Sequence, residues 1–376
     1  MRTAVNARHM IKNRLEGIGT VTHEVMKRMV RFHPDDQYDY YFDRAFDHEF
    51  IHESNVTGHS FFPPARLPVL IRYWMNHPVK KHLKRNGPDV FFSPDGFIPL
   101  NIRIPKVTMV HDVAFLRHPL HLIPRFRRFY EKWMPIFINE ADHIITVSEF
   151  SKRELISGYN LSPEKISVVY NGVSSAFKPI SEEAIKETRE KYFNGHPYFL
   201  YLGSIHPRKN ILTLIRAFEK FKSGSKSDYH LVIAGRPSWY TKEVFKAVDN
   251  SRLSDEIHAM GFVEAEVARK MIASAHVLVY PSRYEGFGLP VVEAMASGTP
   301  VICSNVASLP EVAGNAALFF DPSSVDQLAQ HLQSISSDEA LRKQLISLGH
   351  QHVKMFSWEK AAGEIYSVLN RYSTST

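Results

Sequence analysis

Short apolar runs alternate along this chain with longer stretches whose apolar positions recur at helical spacing. The rhythm is cleanest in the second half. There YFLYLG (198–203), YHLVIAG (229–235), IHAMGFV, HVLVYPS, TPVICS and AALFFDP predict strands. ILTLIRAFEKF, YTKEVFKAVDN, EAEVARKMIASA, LPVVEAMASG and ASLPEVAG predict the helices between them. In the first half TAVNAR, DVFFSP, KVTMVHD, DHIITVS and KISVVYNG read as strands. GIGTVTHEVMKRMVRF, HLIPRFRRFYEKWMPIFINEA and EFSKRELISGY read as helices. Strands alternating with helices imply βαβ units and parallel, doubly wound sheets, in which ligands bind where strand ends lead into helices.

At 376 residues the chain is too long for one ordinary core. The expected organisation is α/β, with two Rossmann-like αβα domains facing across a cleft. The first domain spans 1–178 and the second 197–356. The polar stretch 179–196, bounded by prolines, is the expected linker. An amphipathic helix at about 357–372, with Ser357 as its cap, is expected to pack back on the first domain.

Composition narrows the function classes. With 44% hydrophobic and 23% charged residues the chain reads as globular. A single cysteine, Cys303, excludes an internal disulfide framework and fits a reducing compartment. The opening residues lack a basic-then-apolar leader, and no apolar run approaches the ~20 residues that span a bilayer, so the expected location is cytoplasmic. The charge is uneven: residues 1–178 hold 25 Lys+Arg against 18 Asp+Glu, whereas 179–376 hold 21 of each. A basic first half suits nucleic acid, an anionic membrane or an acidic ligand. No nucleic-acid motif accompanies it, so nucleic acid is not expected as a partner. Two segments interleave cations with aromatics. In 124–137 the aromatics are expected in the core, whereas 69–85 is expected to meet a membrane surface or an acceptor.

Two loops carry candidate chemistry. In GSIHPRKN (203–210) a strand ends at Gly203, and Arg208 and Lys209 are expected at the beginning of a helix, where cations are ordinarily disfavoured. An anion such as a diphosphate explains them; solvated surface cations are the alternative. In EGFGLPVVEAMASG, Gly286 and Gly288 permit a tight turn and Pro290 suits a first helical turn. Glu285 and Glu293 flank that turn, with Glu293 expected in the helix's first turn. Carboxylates suit vicinal hydroxyls of a sugar or ribose, although Glu293 as a helix-dipole partner and Glu285 as a solvated acid is the plainer reading.

The Glu285–Glu293 pair within EGFGLPVVEAMASGTPVI resembles the signature of retaining glycosyltransferases of family 4, which have the GT-B fold. The resemblance extends through LEGIG, VHDVAFLRHP, TVSEFSKREL, VVYNGV, YLGSIHPRKN, ASLPEVAGNAALFFDP and FSWEKAA. It is nearest to mannosyltransferase-like members acting on glycan or lipid-linked acceptors. The resemblance implies a nucleoside-diphosphate sugar donor, with GDP-mannose foremost. It assigns the diphosphate to Arg208 and Lys209, the ribose to Glu293, and the hexose and its phosphate to Glu285 with Gly286, Phe287, Gly288 and Leu289. Gly17 and Gly19 would close over the phosphates, and His111, ending the strand KVTMV, would face the donor sugar. Ser204 stands where some relatives place a further arginine. A front-face displacement, with the departing phosphate helping to deprotonate the acceptor, is the implied mechanism. The chain has no D-x-D; two cations are expected to replace a metal, and no cofactor is required. Rival readings are a nucleotide-sugar epimerase or hydrolase and a non-catalytic sugar-nucleotide or membrane-surface binding protein.

Overall fold

The computed structural model describes all residues except 14, 16, 52, 225, 226 and 374–376. The chain divides into two compact units, 1–172 with 357–376, and 173–356.

In the first unit β1 (Arg2–Asn6), β2 (Gln37–Phe42), β3 (Val56–Ser60), β4 (Val90–Ser93), β5 (Lys106–Met109), β6 (His143–Thr146) and β7 (Ile166–Val168) form a parallel sheet. Its order is β3-β2-β1-β4-β5-β6-β7. β2 and β3 were not anticipated from the pattern. QYDYYF mixes polar with aromatic residues, and the edge strand VTGHS buries little. Gly58 in β3 is packed under the ring of Phe46, where an added Cβ would fall 2.3 Å from the ring. Trp74, Phe91, Phe137 and Ile144 lie in the core of this unit. The stretch 68–86 is helical but broken at Met75–Val79 by a π turn holding Pro78, as expected where proline removes a helical donor.

The helix Trp358–Ser373 packs on Ile18–Phe32 and β4. Glu359 accepts from Arg28 Nε (2.8 Å), and Tyr366 Oη donates to Asp36 (2.9 Å). Ser357 caps it, accepting from Lys360 N at 3.2 Å.

In the second unit β8 (Tyr198–Leu202), β9 (His230–Ala234), β10 (Ile257–Gly261), β11 (Val277–Tyr280), β12 (Val301–Ser304) and β13 (Ala317–Phe320) form a parallel sheet ordered β10-β9-β8-β11-β12-β13. Apolar strands buried on both faces are what parallel sheets require. The span 179–196, expected as a linker, instead carries the helix Glu182–Phe193, capped by Ser181 and packed on Ala265–Ser274 within this unit. Its polarity is that of a helix's exposed face. Among the described residues no helix is long and apolar enough to cross a membrane.

Candidate functional site

Both sheets reverse strand order beside their first strand, between β1 and β4 and between β8 and β11. Such switch points open a crevice at the strands' carboxyl ends. Each is occupied by a buried carboxylate holding basic side chains from the neighbouring loop.

In the second unit β8 ends at Leu202, and Gly203 (φ 148°) turns the chain. A Cβ on Gly235, after β9, would sit 1.8 Å from the Gly203 carbonyl oxygen, so these strand ends approach as only glycine allows. Ser204 is exposed, and its carbonyl accepts from Tyr201 Oη (2.9 Å). Arg208 and Lys209 lie in a single 3-10 turn, Pro207–Lys209. Asn210 then adopts a left-handed conformation, and the long helix starts at Ile211. The cations therefore precede the helix rather than forming its first turn.

Arg208 Nη1 donates to the Tyr284 carbonyl (2.8 Å) and to Glu285 Oε2 (3.0 Å). Lys209 Nζ donates to Tyr280 Oη (2.8 Å) and to Glu285 Oε1. The Lys209 and Glu285 side chains are each 7% exposed, whereas Arg208 is 22% exposed. Burial alone would raise the Glu285 carboxyl, but the charges of Lys209 and Arg208 outweigh it and hold it down at about 2. Glu285 is therefore an ionised counter-charge to the two cations, and the trio carries a net charge of about +1. Asn210 stiffens the turn, donating to the carbonyls of Pro281 (3.1 Å) and Pro322 (2.7 Å).

The loop after Glu285 is fixed from behind. Ser308 Oγ donates to the carbonyls of Glu285 (2.9 Å) and Phe287 (3.0 Å). The Phe287 ring is buried edge-on to Phe356, so only its backbone faces the loop. Gly286 is buried. Gly288 (φ 107°) caps the helix Leu289–Ala296, and a Cβ there would meet Leu309 at 2.9 Å. Glu293 is the fifth residue of this helix, not part of its first turn, because the helix already starts at Leu289, one residue ahead of Pro290. Burial pushes its carboxyl up to about 7. Burial is the cause of that shift, and among the described residues no charge offsets it as Lys209 offsets the burial of Glu285.

In the first unit Gly17 (φ 48°) precedes the helix Ile18–Phe32. Gly19 lies under the His9 carbonyl, 2.5 Å from where a Cβ would be. His111 follows β5 and contacts the Pro94 carbonyl through Nε2 (2.8 Å). Burial pushes the imidazole below its ordinary value, with that hydrogen bond and Asp112 opposing.

One carboxylate of this half, that of Asp95, is buried at the switch point and was not singled out in the sequence. Arg8 Nε donates to its Oδ2 (2.5 Å), and His9 Nε2 lies 3.2 Å from the same oxygen. Ser93 Oγ (3.0 Å) and Phe97 N (3.1 Å) donate to its Oδ1. Burial works against the ionised form, and the Arg8 guanidinium and His9 hold it well below the usual carboxylate range. The strand-end rule applied to DVFFSPD would have found it. A second omission is the flat patch after β9 and β10, where Arg236 stacks over Phe262, 4.4 Å from the ring centre.

The comparisons with known proteins agree with this architecture. A family profile described as "Glycosyl transferases group 1" matches residues 183–352, and "Glycosyltransferase Family 4" matches 15–177. The chain is 31% identical over 373 residues to O-antigen chain mannosyltransferase B of Escherichia coli, covering 96% of this chain and 97% of that protein.

This chain is a family 4 glycosyltransferase.

The transferase is also 33% identical over 253 residues to O-antigen chain mannosyltransferase RfbU of Salmonella typhimurium, covering 66% of this chain and 65% of that one. Its fold matches sucrose-phosphate synthase from Thermosynechococcus elongatus over the whole of both chains, with a TM-score of 0.80 at 18% identity. The GT-B architecture of two Rossmann-like units is thus shared with a protein of very different sequence.

Proposed function

We propose that this transferase moves mannose, with retention of anomeric configuration, from GDP-mannose to a hydroxyl of a glycan or lipid-linked acceptor. The observation that carries the reading is the Arg208–Lys209–Glu285 cluster at the switch point of the second unit, two cations against one acid. The choice of mannose rests on the names of the two relatives.

In this reading Arg208, the more exposed cation, takes the donor diphosphate together with backbone N–H groups of the Gly286–Gly288 turn. Lys209 and Glu285 stay close to it, Glu285 setting the cations' position and meeting the hexose. Glu293 accepts the two ribose hydroxyls. His111 meets donor or acceptor sugar. The acceptor oxygen bonds to the anomeric carbon as the bond to the phosphate oxygen breaks. The bonding pair leaves with the nucleoside diphosphate, and the acceptor proton passes to it. The cations stabilise that leaving charge, so no divalent metal is needed.

A panel of nucleoside-diphosphate sugars, followed by NMR of the product's anomeric centre, tests this reading. Turnover of GDP-mannose to an α-linked product is expected, and an inverted product would sink the assignment. Activity should survive EDTA; a strict metal requirement contradicts the role given to Arg208 and Lys209. Hydrolysis or epimerisation without any acceptor would favour the rival enzyme readings.

The basic first unit is proposed to rest on an anionic bilayer through the face at 66–77. Leu67, Val69 and Tyr73 are 44%, 72% and 47% exposed there, beside Arg66 and Arg72. A groove of about 330 Å³ is lined there by Val69, Arg72, Tyr73 and Trp133. Apolar side chains ringed by cations suit an anionic interface. Co-sedimentation with phosphatidylglycerol vesicles but not phosphatidylcholine is expected, and Arg72→Glu should weaken it; equal binding to both lipids counts against the proposal.

A further inference from the structure

The first unit's switch point is organised around a side chain that the proposed chemistry does not use. Asp95 stands in the Pro94–Gly96 turn after β4, and its two carboxylate oxygens do different work. Oδ1 closes the turn locally, accepting from Ser93 Oγ and Phe97 N. Ser93 is itself tied down: its hydroxyl donates to the Phe97 carbonyl and accepts from Asn6 Nδ2. Oδ2 reaches across to the loop after β1, where Arg8 Nε and His9 Nε2 lie against it. Arg8 is locked at its other end by the Ala65 carbonyl (3.0 Å) and lies over the Phe97 ring. The turn that Asp95 closes carries the Pro94 carbonyl, the partner of His111 Nε2.

A carbonyl oxygen can only accept, so the Nε2 of His111 must carry the proton when the two are 2.8 Å apart. The neutral ring then has Nδ1 as its one acceptor. The state of His111 is thereby set by a carbonyl whose place depends on Asp95.

We propose that Asp95 is a positioning residue for transfer: by tying the loops after β1, β4 and β5 together it holds the Pro94 carbonyl on His111 and so presents Nδ1 of that ring as the acceptor for a sugar hydroxyl. Two further observations agree. The charged and titratable groups around His111 are Asp112, His9 and Asp95, and burial keeps the ring below its ordinary pKa, hence neutral near pH 7. Glu285 occupies the equivalent place in the other sheet, after the strand that follows the switch, holding Arg208 and Lys209 from the loop after the first strand. The inference rests on the transferase reading for its functional half and on geometry alone for the tautomer.

Asp95→Asn separates the two oxygens. The amide oxygen can still serve Ser93 and Phe97, but its NH2 would oppose Arg8 Nε, donor against donor. With histidine nitrogens labelled, the wild-type protein should show His111 as the Nε2–H tautomer without any substrate. In D95N the two tautomers should mix and kcat should fall on the order of 100-fold. Asp95→Glu keeps the charge but moves it by one methylene, and should show the same changes more weakly; it also serves if D95N does not fold. A kcat within about threefold of wild type overturns the inference, as does a kcat loss with His111 still wholly Nε2–H. If no donor is turned over by the wild-type protein the transferase reading falls, and the tautomer then decides this inference alone.

Discussion

The two switch points are alike in plan and unlike in charge. In the second unit two cations face one buried acid, leaving a net charge of about +1. In the first, Asp95 is matched among the described residues by Arg8. Burial and the neighbouring Arg8 push His9 below its ordinary value despite the opposing contact with Asp95, so that ring is neutral near pH 7. One edge is therefore left cationic and the other close to neutral. A diphosphate suits the first and uncharged hydroxyls suit the second, which is the division of labour a nucleotide-sugar transferase requires.

Breaking the buried pair should have the largest effect. Lys209→Ala removes the close partner of an acid held in low dielectric, and a loss of about 3–5 kcal/mol in urea unfolding is expected along with activity. Lys209→Met with Glu285→Gln should recover most of the stability but none of the turnover.

Acid should expose the same clamp. The folded Glu285 carboxyl sits at about 2 against an ordinary 4.5. Its contribution is thus complete above pH 4.5 and is lost as the pH falls toward 2. The size is on the order of 3 kcal/mol. Glu285→Gln should flatten that part of the stability curve; an unchanged acid limb would show that Glu285 is not the clamped group.

Arg208→Ala is expected to act mainly on binding. Nucleoside-diphosphate affinity, measured by calorimetry, should weaken about 10- to 100-fold, the worth of a charged hydrogen bond. Unfolding should change less than for Lys209→Ala because Arg208 reaches solvent.

Glu293 gives the smallest and most specific effect. With a carboxyl near 7, nucleotide affinity should rise several-fold between pH 6 and 8 as the ionised form takes over the ribose hydroxyls. Glu293→Gln should remove that slope. It should also stabilise the unliganded protein at high pH, because a raised acid favours the fold only while protonated and that advantage fades as the pH climbs through about 7.

Much of the site was legible in the residues themselves. Strand periodicity located the ends of β8 and β11, and the glycines and Pro290 marked the turn that opens Leu289–Ala296. Arg208 and Lys209 stood out because cations are unusual at the beginning of a helix. β3 was hidden because an edge strand needs little burial, and β2 because QYDYYF, although buried between β1 and β3, mixes polar with aromatic residues and carries no clean alternation. The 179–196 helix was hidden because a polar, proline-bounded stretch reads alike as linker or as exposed helix.

What the chain determined alone was local: which strongly patterned segments become strands and helices, and which turns are glycine-built, since these depend on side chains a few residues apart. Only the tertiary structure decided which charges meet. Lys209 and Glu285 are 76 residues apart, and Arg8 and Asp95 are 87 apart. Sheet order brings each pair to one edge. That contact clamps Glu285 against two cations, whereas Glu293 is shaped by burial.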